Sequence, residues 1–153
     1  MKVLLAYATN SSGTLVASQT IVNNLKENEN EVTHRDIRSV KPETLNTFDL
    51  IIFGSPSWNY NKMEGQPHEF FTQFMEKMKD KTCEGKQFAI FGLGDSAYMY
   101  FCGAVDYLEA FVKKLDGTLL VPSLRIDGFY FNQPKNEEKL REWTKEIVLT
   151  TNS

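Results

Sequence analysis

Apolar runs of strand length alternate with helix-period segments along this whole chain, and that alternation leaves few folds open. Lys2 to Tyr7, Asp49 to Gly54 and Gln87 to Phe91 read as strands, because each holds a continuous apolar run of the kind buried on both faces of a sheet. Between and after them, apolar residues recur at helical spacing: Ala17, Ile21 and Leu25; Phe70, Phe71, Phe74, Met75 and Met78; Val105, Leu108, Val112 and Leu115; Leu140, Trp143 and Ile147. A shorter, more polar stretch from about Glu31 to Asp36 reads as an edge strand. Thr118 to Ile126 reads as a fifth strand, bent or interrupted at Pro122. Pro67 is expected in the first turn of a helix, Gly117 at a helix C-cap, and Ser55 to Gln66 as a long loop. The expectation is one α/β domain over residues 1–150 with a frayed tail at 151–153. It is a doubly wound, five-stranded parallel sheet of order 2-1-3-4-5 with helices on both faces.

Ligands of such sheets bind beyond the carboxyl ends of the strands, where strand order reverses. For this order that point lies between strands one and three, flanked by the loops Thr9 to Thr14 and Ser55 to Asn61. Gly92 to Cys102 is next door. The 153 residues carry a formal net charge of −3, with no basic stretch to recommend nucleic acid. No apolar run approaches the roughly 20 residues of a membrane span. Met1-Lys2 passes directly into the first strand, and Cys83 and Cys102 form no metal spacing, so a reduced cytoplasmic protein without a leader is expected. His34 and His68 have no metal-ligand signature, and Cys83 is expected near the surface.

Two loops carry chemistry. Thr9-Asn10-Ser11-Ser12-Gly13-Thr14 offers hydroxyls and an amide, contains no Lys or Arg, and runs at once into a helix. Unpaired N–H groups and the positive end of the helix dipole make that an anion site held by neutral donors, although N-capping and ordinary turn chemistry would use the same residues. The P-loop Gly-Lys-Ser/Thr is absent. Gly92-Leu93-Gly94-Asp95-Ser96-Ala97-Tyr98-Met99-Tyr100-Phe101-Cys102-Gly103 packs three glycines, an acid and three aromatics into one loop, which suggests a flat apolar group to be covered. Its nominal Gly-x-Gly-x-x-Ala match to the dinucleotide fingerprint fails on position, because the next helix starts only near Cys102 or Gly103. Phe129-Tyr130-Phe131, at the same end of the sheet, is expected to pack back on the domain, the alternative being an apolar collar where a partner docks.

Three markers, Thr9-x-Ser11-x-Gly13-Thr14, Gly54-Ser55-Pro56-Ser57-Trp58 and Gly92 to Asp106, make the chain resemble short-chain flavodoxins over essentially its whole length. The resemblance implies a flavodoxin-like sheet, non-covalent FMN and transfer of single electrons, with no catalytic residue, no metal and no substrate site. It implies that Thr9, Asn10, Ser11, Ser12, Gly13 and Thr14 hold the phosphate. Trp58 and Tyr98 would cover the two faces of the ring, and backbone groups of Gly94, Asp95 and Cys102 would bond its pyrimidine edge. Pro56, Ser57, Asn59, Tyr60, Leu93, Tyr100 and Phe101 would line the pocket. The implied partners are reductase-type donors and low-potential acceptors that dock transiently at the flavin edge of a monomer. Asp95, Glu64 and Asp106 would oppose the charge of the reduced ring. Asn59 stands where many flavodoxins have Gly, which implies a neutral semiquinone less stable than in Asn59→Gly. A quinone- or nitro-reductase on the same fold is the alternative. A phosphoacceptor domain is excluded, because Tyr7-Ala8-Thr9 and Gly54-Ser55-Pro56 stand where its acids would be.

Overall fold

The computed structural model describes residues 1–9, 12–60, 63–97 and 101–152, with the backbone alone at 58–60 and 63. In chain order the elements are β1 (Lys2–Tyr7), α1 (Gly13–Glu27), β2 (Glu31–Asp36), β3 (Leu50–Tyr60), β4 (Met63–Pro67), α2 (Glu69–Lys77), β5 (Gln87–Gly94), α3 (Gly103–Lys114), β6 (Thr118–Leu119), β7 (Leu124–Asp127) and α4 (Gln133–Thr151). Short 3-10 turns lie between β2 and β3 and just before α4.

The sheet runs β2-β1-β3-β5-β6, with β7 continuing the outer position beside β5. These pairs are all parallel; Leu5 lies between His34 and Ile52, and Gly92 lies opposite Arg125. This is the expected order once β6 and β7 are counted as one strand. The break falls at Pro122, as its missing N–H requires, and the Pro122 carbonyl is used instead by Trp143 Nε1 at 2.9 Å.

Alternation within β3 divides the core. Ile51 and Phe53 face α2 and α3, while Leu50 and Ile52 face α1 and α4. The first side is aromatic: the Phe53 ring lies 5.4 Å from Phe71, 5.6 Å from Phe88 and 6.1 Å from Phe111. The second is aliphatic, built from Val3, Leu5, Ile21, Leu25, Leu140 and Ile147 around Phe91 and Trp143. Each such side chain contributes about 1.5–3 kcal/mol on burial. Gly54 permits the close fit of β3 on β5, because a Cβ there would sit 2.1 Å from the Phe91 ring.

Several expectations need correction. Ser55 to Gln66 is not a long loop: β3 continues to Tyr60 and pairs antiparallel with β4, Ser57 opposite Pro67 and Trp58 opposite Gln66. Pro56, Trp58 and Tyr60 do alternate with Ser55, Ser57, Asn59 and Asn61, a strand period that the loop reading passed over. A distant contact holds it, since the Gly65 backbone lies so close to α3 that a Cβ on Gly103 would be 2.5 Å from the Gly65 carbonyl oxygen. Pro67 therefore ends β4, and His68 caps α2 by accepting from the Phe70 N–H through Nδ1 at 3.1 Å. After α3 the left-handed position is taken by Asp116 at φ 62°, not by Gly117, which instead lies against the Phe88 ring. Cys83 is buried. At the end of the chain α4 runs through Thr151, whose hydroxyl donates to the Ile147 carbonyl at 3.1 Å, so the helix enters the stretch expected to fray. Ser153 lies outside the described residues. No described helix is long and apolar enough to cross a membrane.

Candidate functional site

The carboxyl ends of β1, β3, β5 and β7 deliver four segments to one rim. From β1 come Thr9 and, past the undescribed Asn10 and Ser11, the start of α1. Ser12 occupies its N-cap position at φ 67° with no side-chain cap bond, so the first-turn N–H groups have no capping hydroxyl of their own. The hydroxyls of Thr9 and Thr14 are buried, yet neither has a hydrogen-bond partner among the described residues. Buried polar atoms are rarely left so, and two in one loop at a helix start mark a place built for an acceptor. Both residues line a cavity of about 330 Å³, with Gly13, Pro56, Ser57, Leu93, Gly94 and residues 128–131 completing its wall.

From β3 and β5 come the neighbouring walls. Ser57 Oγ accepts from the Ala104 N–H at 2.9 Å, fixing β3 to the start of α3. Gly94 lies against Cys102 so tightly that a Cβ would meet Sγ at 2.9 Å and the backbone nitrogen at 3.0 Å. The two backbones thus form a narrow cradle, with Cys102 in the left-handed region at φ 50°. The Asp95 carboxylate accepts from the Ala97 N–H at 2.8 Å and shapes its own loop. Phe101 packs against the aromatic core, and Leu93 is buried under the cavity floor.

From β7 come the ties that hold this rim together. Asp127 accepts from the Ser96 N–H at 2.9 Å, and that bond holds its carboxyl below the usual range. Arg125 donates to the Cys102 carbonyl at 2.9 Å and to Asp106 at 2.7 Å. Asp106 is therefore ion-paired at the rim, through an arginine that also approaches Glu109 at 3.9 Å. Burial pushes the Cys102 thiol up to about 12, against the opposing pull of Arg125, so this sulfur supplies no thiolate.

With this geometry the comparisons agree. A family model described as Flavodoxin matches residues 5–143. The chain belongs to the flavodoxin family. It is 36% identical over 139 residues to "Probable flavodoxin 2" of Bacillus subtilis (strain 168), covering 90% of this chain and 87% of that one. It is 30% identical over 128 residues to a flavodoxin of Maridesulfovibrio salexigens, covering 83% and 86%. Among solved structures, oxidised Flavodoxin 1 from Bacillus cereus superposes with a TM-score of 0.86 at 27% identity, covering 97% of both chains. Fusobacterium nucleatum flavodoxin bound to flavin mononucleotide has the same fold, with a TM-score of 0.80 at 20% identity over 96% of each chain.

Among the residues singled out from sequence in this flavodoxin, Thr9, Gly13, Thr14, Pro56, Ser57, Leu93 and Gly94 meet around one cavity. Ser12, Asp95, Phe101 and Cys102 lie on the adjoining loops. Asn10, Ser11, Tyr98 and Tyr100 fall outside the described residues, as do the side chains of Trp58, Asn59 and Tyr60. Phe129-Tyr130-Phe131 divides between its two expectations: Phe129 packs back into the core, Tyr130 and Phe131 stay exposed, and all three line the cavity with Gly128. Sequence reasoning missed Asp127 and Arg125 as ties.

Proposed function

We propose that this protein carries single electrons on non-covalently bound FMN between redox proteins, with no substrate site of its own. The observation that carries the reading is the pair of buried hydroxyls of Thr9 and Thr14, without a partner among the described residues and set in an uncharged loop at the start of α1. They fit a phosphate group, which needs several donors and tolerates neutral ones where N–H groups converge. Bound FMN supplies the redox chemistry, and the chain supplies grip, orientation and electrostatics.

In this reading Thr9, Ser12, Gly13 and Thr14, with Asn10 and Ser11, hold the phosphate. Backbone groups of Gly94, Asp95 and Cys102 hold the pyrimidine edge, in keeping with the close approach of Gly94 to Cys102. Trp58 and Tyr98 cover the ring, with Pro56, Ser57, Asn59, Tyr60, Leu93, Tyr100 and Phe101 around it. The domain of residues 1–150 acts as a cytoplasmic monomer, taking electrons from reductase-type donors and passing them to low-potential acceptors at the exposed ring edge.

Titration of FMN into apoprotein tests the reading through quenching of flavin fluorescence. Saturable one-to-one quenching is expected, and no quenching overturns it. Purified holoprotein is expected not to oxidise NADPH unless a reductase is added. Oxidation without one would favour an enzyme instead.

A further inference from the structure

We propose that Tyr130 is a donor to the phosphate group, brought over the Thr9–Thr14 loop from the other end of the chain. The proposal rests on the FMN reading above. The Tyr130 hydroxyl lies 3.0 Å from Ser12 Oγ, although the two residues are 118 positions apart. Its ring stands beside Gly13, where a Cβ would come within 3.5 Å of Tyr130 Cε2. Thr9 and Thr14, whose hydroxyls have no partner among the described residues, and Tyr130 are walls of the same cavity.

The fold holds Tyr130 there. Gly128 turns the chain at φ 52° and donates its N–H to the Gly94 carbonyl at 2.9 Å. Asn136, buried in α4, donates its side-chain amide toward the carbonyls of Asp127, Gly128 and Phe129 at 3.3, 3.3 and 3.1 Å. Phe129 is sunk in the aliphatic core, which sends the next residue out to the rim. Tyr130 is consequently half exposed, with one edge on the cavity and its hydroxyl on the loop.

A phenol suits this place because the loop itself contains no Lys or Arg. A phosphomonoester carries close to two negative charges and three acceptor oxygens, more than two threonine hydroxyls satisfy. In the Tyr130–Ser12 pair either hydroxyl can donate; with Ser12 donating to the phenol oxygen, the Tyr130 proton is left to donate to the anion.

The test compares FMN with riboflavin, which shares the ring and lacks the phosphate. Apoproteins of the wild type and of Tyr130→Phe, which keeps the cavity wall, are titrated with both by fluorescence quenching. Losing a hydrogen bond to a charged group should weaken FMN about tenfold in Tyr130→Phe, with riboflavin unchanged to within about twofold. Inorganic phosphate should compete with FMN less well in the variant. An unchanged FMN-to-riboflavin affinity ratio overturns the proposal, whether neither ligand weakens or both weaken together. A wild type with no preference for FMN over riboflavin would instead sink the reading of the phosphate loop itself.

Discussion

The two rims of the sheet are built from similar loops, yet their polar groups end differently. At the amino ends of the strands the loops close on themselves. Lys86 Nζ donates to the carbonyls of Asn46 and Phe48 at 3.2 and 2.7 Å, and Asp49 exchanges two bonds with the Lys2 backbone, both at 2.7 Å. Cys83 and Gly85 donate their N–H groups to the carbonyls of Leu115 and Asp116. At the carboxyl ends, among the described residues, Thr9 and Thr14 keep buried hydroxyls without partners, and α1 starts without a side-chain cap. A buried polar atom left unmatched costs about 1–3 kcal/mol. The amino rim is therefore organised for stability, while the carboxyl rim gives up stability to stay ready for an anion.

The sharpest way to break this contrast is Thr14→Val, which keeps the shape and removes the hydroxyl. FMN affinity is expected to fall at least about tenfold while the apoprotein gains about 1 kcal/mol, opposite signs read by titration and by urea unfolding. Equal affinity in the variant would show that the carboxyl rim is not special. Next, Gly117→Val at the amino rim places a branched side chain where even a Cβ would be 2.6 Å from the Phe88 ring. Overpacking of this kind costs about 1–3 kcal/mol, and FMN affinity of the folded variant should stay within about twofold. Lys86→Met keeps the aliphatic stem and removes the donor to two carbonyls; a loss of about 1 kcal/mol in urea unfolding is expected, again with FMN binding intact.

The smallest effect concerns pH. His34, bonded to Ser18 Oγ at 2.7 Å, and His68, whose Nδ1 caps α2, both have pKa values lowered by burial. Their unfolded forms bind protons more readily, so stability is fully present above about pH 6.5 and is lost as pH falls through the folded values. Thermal unfolding midpoints should therefore decline from pH 7 to pH 5, and the decline should flatten in His34→Gln. A flat profile in the parent protein would remove both histidines from the ledger.

Sequence foretold some of these parts and not others, for physical reasons. β1 and β2 were legible to the residue, because Val3 to Tyr7 is a continuous apolar run and Glu31 to Asp36 is a polar edge segment. The break in the outer strand was legible because proline lacks the donor a ladder needs. The Thr9–Thr14 loop could be located because a run of hydroxyls leads straight into a helix, although ordinary turn chemistry would use the same residues; the segment after Phe91 stood out because loops are rarely so aromatic. The β3–β4 hairpin was passed over, although Pro56, Trp58 and Tyr60 alternate with polar residues; the proline, serines and asparagines read as turn chemistry, and the contact of Gly65 with Gly103 is invisible in sequence. Gly117 misled because glycine commonly ends helices, while Asp116 accepted the left-handed turn and the glycine answered to the Phe88 ring. Tyr130 was visible as odd but not placeable, because its position depends on Asn136 gripping carbonyls a helix away.

Cys102 and Cys83 have one further consequence. Both sulfurs are buried, the first unionised at neutral pH and the second pushed up by burial as well. A thiol reagent meets neither surface access nor nucleophile at these two sites until the chain opens. The same shielding turns the two cysteines into an internal clock. Where labelling by a disulfide reagent outpaces reclosing, its rate counts the opening events that expose them.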